Sequence, residues 1–599
     1  MRYWISMKNL CHKKCMFFAF LVSLLPRMVI ALLIAPVRTV SDEIVTMAAG
    51  ATLAGLDWTA VVGNYGYFYG GGFSMLTAPF FAITDNPYVI YGCYLLTLSL
   101  MQALIAVFAY KILHEFMGVE EKKFLFLASV ACSYFVVTRA TLVYNDNVLV
   151  FLSWMLAYFL GRLFLDQDNK RKKRLWTLLT VAVLAYSRMV HTRAITYWIA
   201  FLILIVLYGI FYRKLLVSKL VIPLLAAGFV LSDSFNSWLK STLWASQNGS
   251  TLINSEIQVA TSKSLSDPWV FKTWLKIYAG QIQTILIFSG GMVLICLLLY
   301  AVFYISYLGK NRGKERENWE TIVFLFGIFF IGCVAITIVG QSFIWLDGAV
   351  DAMNKGYGTT EYGLKVFGYV RYFGPYLGPA FLGGLRLLYE KRDKMKGYVL
   401  AGFGTGAVLL LFWMKFIFPY ICNNINCAEV FFAFSLWKRG TEITKAVYLP
   451  GVICYLILFG VLGILLIRKK PNHAITILVL SLMFQYCWTS YGHDMAYSRY
   501  NADFADKGYE YVKELEKNGE EVPEKIYVID TSRKTKHQNF FMYQFFLNRY
   551  KIIPEYPPED NEDCLVFSNL ENDEKLLDQG YTCRKLDWNE FFYEKENTD

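Results

Sequence analysis

Charge is scarce in this 599-residue chain: 18% of its residues are Asp, Glu, Lys or Arg against 56% hydrophobic, which excludes a single water-soluble core. No Cys-x-x-Cys pair or His–Cys spacing points to a zinc centre. No basic face is interleaved with stacking aromatics, so nucleic acid is excluded as a partner. No convincing internal repeat is visible, and ionisable residues gather at the ends of apolar runs, which weighs against an alternating-access transporter.

What the chain has is apolar length. A spanning helix needs about 20 apolar residues, and roughly thirteen such runs recur between Met16 and Ser490. They cover 16–37, 88–112, 123–138, 148–165, 175–188, 194–212, 216–235, 279–308, 319–340, 372–389, 398–418, 448–467 and 473–490. The first has a basic start like a secretion signal, but it is long, is interrupted by Pro26-Arg27 and lacks a small-x-small cleavage pattern, so it reads as an uncleaved span.

Basic clusters at Lys8/Lys13/Lys14, Lys122-Lys123, Lys170 to Arg174, Arg213-Lys214, Lys310 to Arg316, Lys391 to Lys396 and Arg468 to Lys470 fall on every second loop. The positive-inside trend then predicts a multi-pass protein of the cell membrane with a cytoplasmic N-terminus and, with an odd number of spans, an extracytoplasmic C-terminus. The net charge of +11 hides this polarity: from Asn501 onward 13 basic residues face 23 acidic ones, net −10, leaving +21 for the rest.

The fold class expected is therefore a polytopic α-helical membrane protein with about 13 transmembrane helices and a small extracytoplasmic α/β C-terminal domain. The transmembrane domain is set at 1–490, with a large first external loop over 38–87, and the C-terminal domain at 491–599. In the tail, a helix over Tyr509 to Lys517, a strand over Lys525 to Asp530, a helix over Gln538 to Asn548, a strand over Cys564 to Ser568, a short helix over Glu574 to Gln579 and a closing strand alternate. Without a glycine-rich phosphate loop or nucleophile elbow, that unit reads as accessory or acceptor-guiding. Of the twelve cysteines most lie in spans, while Cys422 with Cys427 and Cys564 with Cys583 are local pairs, open between disulfides and free thiols.

Candidate chemistry sits in the external segments. Asp42-Glu43 follows the first span, and the loop continues through Trp58 and the run Asn64 to Phe73, which contains Tyr67, Tyr69 and Gly70 to Gly72. Dense glycine beside aromatics at headgroup depth favours close approach of a ligand over a plain aromatic belt. Ser41 also suits a helix cap and Arg38 suits an i,i+4 partner for Asp42, the structural alternative. Asn145-Asp146-Asn147 is turn chemistry that also brings Asp146 to the same vestibule, with Arg139 nearby. Arg188, His191 and Arg193 lie outside against the positive-inside trend, and arginine forks match phosphate oxygens. Glu361, Lys365 and Arg371-Tyr372 precede a span opening with Pro375 and Pro379, where Arg371 faces a ligand or snorkels.

The order of Arg27 within the first span, an external Asp-Glu, a Tyr-Gly-Tyr run leading into Leu76-Thr77-Ala78-Pro79-Phe80 and a late Arg-Tyr-x-x-Pro resembles the GT-C superfamily of membrane glycosyltransferases. It is most similar to the bacterial relatives of protein O-mannosyltransferases and of the aminoarabinose transferases of lipid A. The resemblance implies inverting transfer of a sugar from a polyprenyl-phosphate carrier to a protein, lipid or wall-polymer acceptor at the outer face. It implies Asp42 as the general base, assisted or oriented by Glu43, with Asp146 beside them. Lipid phosphate gains charge as it leaves, which assigns it to Arg371 first, then Arg188 and Arg193, with Arg139, His191, Tyr67, Tyr69 and Tyr372 lining the site.

There are departures from the family pattern. The first loop lacks Asp-x-Asp, and Trp488 to Gly492 shares only three positions with the Trp-Trp-Asp-Tyr-Gly signature of the oligosaccharyltransferase branch, so sequon recognition is not implied. No cofactor is called for, and a divalent cation stays open. The alternatives are a transporter or flippase, favoured if Arg27 lines a through-going cavity, and a polysaccharide polymerase or ligase, for which His493-Asp494 speaks.

Overall fold

The computed structural model describes residues 11–38, 40–135, 141–244, 263–309, 317–368, 371–423, 445–530, 538–559, 564–588 and 590–595. Among the described residues nine helices are long and apolar enough to cross a membrane, from His12–Leu33 to Pro471–Ala502. Each falls on one of the thirteen predicted runs. The remaining four runs are helical but shorter or more polar, for reasons visible in their residues.

The first ten helices, with the segment just before Gly374–Glu390, carry the site. They are α1 (His12–Leu33), α2 (Val40–Leu53), α3 (Thr59–Tyr65), α4 (Gly72–Ile83), α5 (Pro87–Lys111), α6 (Lys122–Tyr134), α7 (Asn145–Leu165), α8 (Lys170–Val190), α9 (Ile195–Tyr212) and α10 (Val221–Leu243). Helix α6 has 13 residues, α8 opens on Lys170 to Arg174, and α10 carries Asp233, Asn236 and Lys240 in its second half. The fourth run forms a 17-residue helix, Gly374–Glu390, with Pro379 inside. Helix α5 starts where its sequence says it should: the Asn86 side chain accepts from the N–H groups of Tyr88 and Val89, and Pro87 occupies the first turn.

One predicted span is two helices. The run 279–308 breaks into Pro268–Phe288 and Met292–Gly309. At the break Gly290 and Gly291 take φ of 56° and 76°, a region that side chains with a Cβ avoid. A Cβ on Gly290 would also lie 2.3 Å from Leu458 Cδ2. Hydropathy cannot register this corner, because glycine does not interrupt an apolar average.

The expected first external loop folds as α2, α3 and α4, and the C-terminal unit packs on it. That unit is a five-stranded sheet in the order β2-β1-β3-β5-β4, with β1 (Lys525–Ile529), β2 (Lys551–Ile553), β3 (Leu565–Ser568), β4 (Tyr581–Asp587) and β5 (Glu590–Lys595). Strand β1 pairs in parallel with β2 and β3, while β5 runs antiparallel to β3 and β4. The helix Gln538–Phe546 links β1 to its parallel neighbour β2. The predicted single closing strand is the β4–β5 hairpin, and the three-residue β2 was too short to read. Cys564 and Cys583 are free thiols; Cys427 lies outside the described residues.

The contact between unit and loop is aromatic at its centre and ionic at its edge. Trp58 is fully buried and its Nε1–H donates to the Asn548 carbonyl at 3.1 Å. Its ring meets Phe81 and Phe545 edge-on. Asn548 Nδ2 donates to the Asp85 carbonyl at 2.7 Å, and Lys513–Asp85 and Lys551–Asp57 pair at 2.6 Å each.

Inside this unit Glu590 is fully buried and accepts from the N–H groups of Lys507 (3.0 Å) and Gly508 (3.3 Å) and from the Tyr543 hydroxyl (3.0 Å). Burial outweighs these donors and pushes its carboxyl from 4.5 up to about 8. The folded state then holds a proton that the unfolded chain has lost, so this group's contribution makes the unit less stable as pH rises from about 4.5 to about 8 and is flat beyond. Hydrogen exchange over 506–512 and 590–595 in the full chain, corrected for intrinsic rates, should show protection falling across that window, and Glu590→Gln should remove the slope.

Candidate active site

Helix α2 begins at Val40, so Ser41 lies inside its first turn rather than capping it, and Asp42 and Glu43 share that turn. Negative charge there meets the positive end of the helix dipole. Successive side chains on a helix diverge by about 100°, and the acidic pair splits accordingly. Glu43 is fully buried. Its Oε2 accepts from the Arg38 N–H at 2.8 Å, and its Oε1 accepts from the Tyr91 hydroxyl at 2.8 Å and the Val143 N–H at 2.7 Å. Asp42 instead keeps 26% of its side chain exposed.

Asp42 joins a cluster drawn from four segments. Arg371 Nη1 donates to Asp42 Oδ2 at 2.9 Å, and Arg371 Nε donates to Asp146 Oδ2 at 2.5 Å. The Tyr69 hydroxyl donates to Asp42 Oδ1 at 3.2 Å. Asp146 stands in the first turn of α7 with 1% of its side chain exposed, and Arg193 Nη1 lies 3.5 Å from its Oδ1. The Arg371 guanidinium sits 3.7 Å over the Tyr144 ring, and that of Arg193 sits 3.6 Å over Tyr372. His191 is buried with its Nε2 2.6 Å from Arg193 Nη2, and burial together with that guanidinium holds its imidazole well below the ordinary range. The imidazole is therefore neutral at pH 7.

Three buried polar atoms of this cluster have no hydrogen-bond partner among the described residues: Asn145 Oδ1, Asp146 Oδ1 and Arg193 Nη1. Asp146 Oδ1 and Arg193 Nη1 face each other as an ion pair at 3.5 Å, which leaves Asn145 Oδ1 as the buried valence that calls for a ligand or ordered water.

The glycine run has a different origin from the one expected. Gly71 N–H donates to the Met189 carbonyl at 3.0 Å, Thr192 N–H donates to the Tyr69 carbonyl at 3.1 Å, and Asn145 Nδ2 donates to the Gly70 carbonyl at 3.2 Å. A Cβ on Gly70, whose φ is 125°, would lie 2.5 Å from the Val190 carbonyl oxygen. These glycines let the loop backbone approach the 189–192 backbone, and that contact brings Tyr69 beside His191.

Other predicted residues lie elsewhere. Arg188 pairs with Asp233 at 2.6 Å and stacks on Phe229; with Thr192, Asn236 and Lys240 it lines a separate cavity of about 190 Å³. Tyr67 is exposed. Glu361 pairs with Lys355, and Lys365 bonds the Tyr362 hydroxyl. Arg139 lies outside the described residues, as does the His493 side chain. Asp494 is buried, pairs with Arg38 at 2.9 Å and accepts from the Thr141 hydroxyl at 2.6 Å. Arg38 thus reaches Asp494, in the turn that follows Pro471–Trp488.

Arg27 is fully enclosed. It donates to the Ser23 and Ser133 carbonyls and to Gln102 Oε1, and it lies 3.9 Å over the Tyr134 ring. Gln102 in turn donates to Asn147 Oδ1 at 2.8 Å, beside Asp146. Sequence reading missed Tyr91, Tyr144 and Gln102, which lie in apolar or turn-like surroundings that carry no signal of their own. Groups spaced for a metal ion, among the described residues, are His12/His114/Glu120 and Asp506/Asp587/Glu590, both apart from Asp42 and Asp146.

A many-helix body, with nine helices among the described residues long and apolar enough to cross a membrane, and a short-helix loop after the first of them make up a fold shared with solved structures. In particular, the chain superimposes on the crystal structure of ArnT from Cupriavidus metallidurans bound to undecaprenyl phosphate with a TM-score of 0.56 at 13% identity, covering 98% of both chains. The apo state of that protein gives a TM-score of 0.51 at 13% identity, over 97% of this chain and 96% of that one. No protein-family model and no curated protein matches the sequence.

The two acids of the pair should separate experimentally. Glu43→Ala orphans the Arg38 and Val143 N–H groups, each costing about 1–3 kcal/mol, and should lower the melting temperature of the purified protein clearly more than Asp42→Ala does.

Proposed function

We propose that this chain is an inverting glycosyltransferase that moves a sugar from a polyprenyl-phosphate carrier to an acceptor at the outer face of the membrane. The observation that carries this reading is Asp42: a partly open carboxylate held by Arg371 and Tyr69, beside a second arginine and a buried amide oxygen, Asn145 Oδ1, in need of a partner. The likeness of the fold to ArnT, crystallised with undecaprenyl phosphate, supports the same class of donor.

The chemistry follows from the residue types. An acceptor hydroxyl is a poor nucleophile at neutral pH, so Asp42 takes its proton as the oxygen bonds to the anomeric carbon. The bond from that carbon to the carrier phosphate breaks in the same displacement, which inverts the configuration. The phosphate leaves with the electron pair, and its growing charge falls on Arg371 and Arg193. In the resting site Arg371 Nη1 is occupied by Asp42. Phosphate competes for that donor, releasing the carboxylate as a base only when the carrier is bound. Neutral His191 keeps Arg193 beside Asp146 without adding a third positive charge.

Charge distribution supports a cytoplasmic N-terminus and an extracytoplasmic C-terminus. The 491–599 unit, seated on α2 to α4, then stands over the mouth of the site as an acceptor-guiding element.

The test is transfer in membranes supplied with a panel of polyprenyl-phosphate sugars. Asp42→Asn should lower turnover by about 10²–10⁴-fold, and Arg371→Lys, which loses the fork, by about 10²–10³-fold. A correctly inserted Asp42→Asn protein that transfers at the wild-type rate would remove Asp42 as the base.

A further inference from the structure

At the opposite end of the first two spans from Asp42, three side chains converge that the transfer chemistry does not use. His12 is the first residue of α1, which runs 22 residues to Leu33 and so separates it from the Asp42 end by about 33 Å. His114 sits in a π-helical turn, Ile112–Phe116, that continues α5. Such turns are frequent at functional sites because the extra residue re-aims a side chain. Glu120 follows directly: Met117 N–H donates to the Ile112 carbonyl and Val119 N–H to the Leu113 carbonyl, both at 3.0 Å, and Gly118 takes a φ of 66°. This left-handed close pins Glu120 back against the histidines.

His12 Nε2 lies 3.6 Å from Glu120 Oε2, and His114 Nδ1 lies 3.5 Å from Glu120 Oε1. Both are too long for hydrogen bonds. The His12–Glu120 separation is close to the edge of a tetrahedron with arms of about 2.0–2.1 Å, roughly 3.4 Å, while His114 Nδ1 donates its proton to the Val119 carbonyl at 3.2 Å and so leaves Nε2 as its ligating atom. One ligand atom from each of the three residues lies within 4.8 Å of the others. His12 Nδ1 lies 3.0 Å from the Tyr110 hydroxyl, an outer contact that orients the ring with Nε2 toward Glu120. All three side chains reach solvent, at 31%, 27% and 75% exposure, so an ion can enter and water can complete its shell.

We propose that His12, His114 and Glu120 form a binding site for a borderline divalent transition metal, zinc being the probe. Two imidazoles and a carboxylate select zinc, cobalt or nickel over the oxygen-seeking calcium and magnesium. The rings are stacked at 4.0 Å and 8°, so loading splays them until both lone pairs meet the ion. The occupied site staples the start of α1 to the end of α5, two helices that the chain joins only through the loop at the other end.

Titration calorimetry of the purified full chain with zinc chloride, cysteines kept reduced, should find a specific site, and cobalt(II) should give the visible absorption of a tetrahedral ion. His114→Asn and Glu120→Gln should each weaken zinc binding more than about tenfold, and Tyr110→Phe by about tenfold. Asp506→Asn, in the acidic group of the C-terminal unit, should leave it unchanged. Equal binding by wild type, His114→Asn and Glu120→Gln overturns the proposal. So does loss of the site in Asp506→Asn, or no uptake by a wild-type protein whose melting curve shows it folded.

Discussion

Arg371 donates to Asp42 with one nitrogen and to Asp146 with another, and so ties together three segments separated by more than a hundred residues each. Either carboxylate without this guanidinium would be a costly charge in a half-buried pocket, and the guanidinium without them would be worse. The planar fork is what makes this work: a lysine is a point charge that cannot bond both carboxylates with the same fixed geometry. Tyr144 beneath the fork and Tyr372 beneath Arg193 supply apolar faces that hold both cations without neutralising them.

The cluster keeps its shape because the backbone around it is fixed independently. Glu43 bonds the N–H groups of Arg38 and Val143, Asp494 bonds Arg38 and Thr141, and the glycine run lies against 189–192. None of these ties uses Asp42 or Arg371, so the reactive groups can exchange partners while their supports stay in place. A site that must release one carboxylate on demand needs this division between groups that hold and groups that move.

Much of this architecture was legible because hydropathy and charge act locally. Span positions and the alternating tail follow from apolar length and period, and Asp42, Asp146, Arg193 and Arg371 could be named because each is a charge at the end of an apolar run. What stayed hidden was pairing. Nothing in Asp42-Glu43 says that the second acid would turn inward and bind backbone, since that depends on Val143 and Tyr91, far away in the chain. The Gly290-Gly291 corner, the separate pocket of Arg188 and the backbone role of Gly70 share this cause: each is decided by a neighbour that sequence order does not reveal.

Arg27 bears on how the chain is made. An arginine near the middle of a spanning helix costs roughly 2.5–3.5 kcal/mol on insertion scales, and here no carboxylate among the described residues pairs with it. Its donors are met by Ser133 and Gln102, and its face by Tyr134 and Tyr486. Apart from its own Ser23 carbonyl, all of these are synthesised after α1. Helix α1 therefore enters the bilayer with an unmet charge and is completed only when α5, α6 and then the helix Pro471–Trp488 arrive. The surroundings of Arg27 are thus built from helices far apart in the chain, and α1 reaches its final environment only when Pro471–Trp488 is in place.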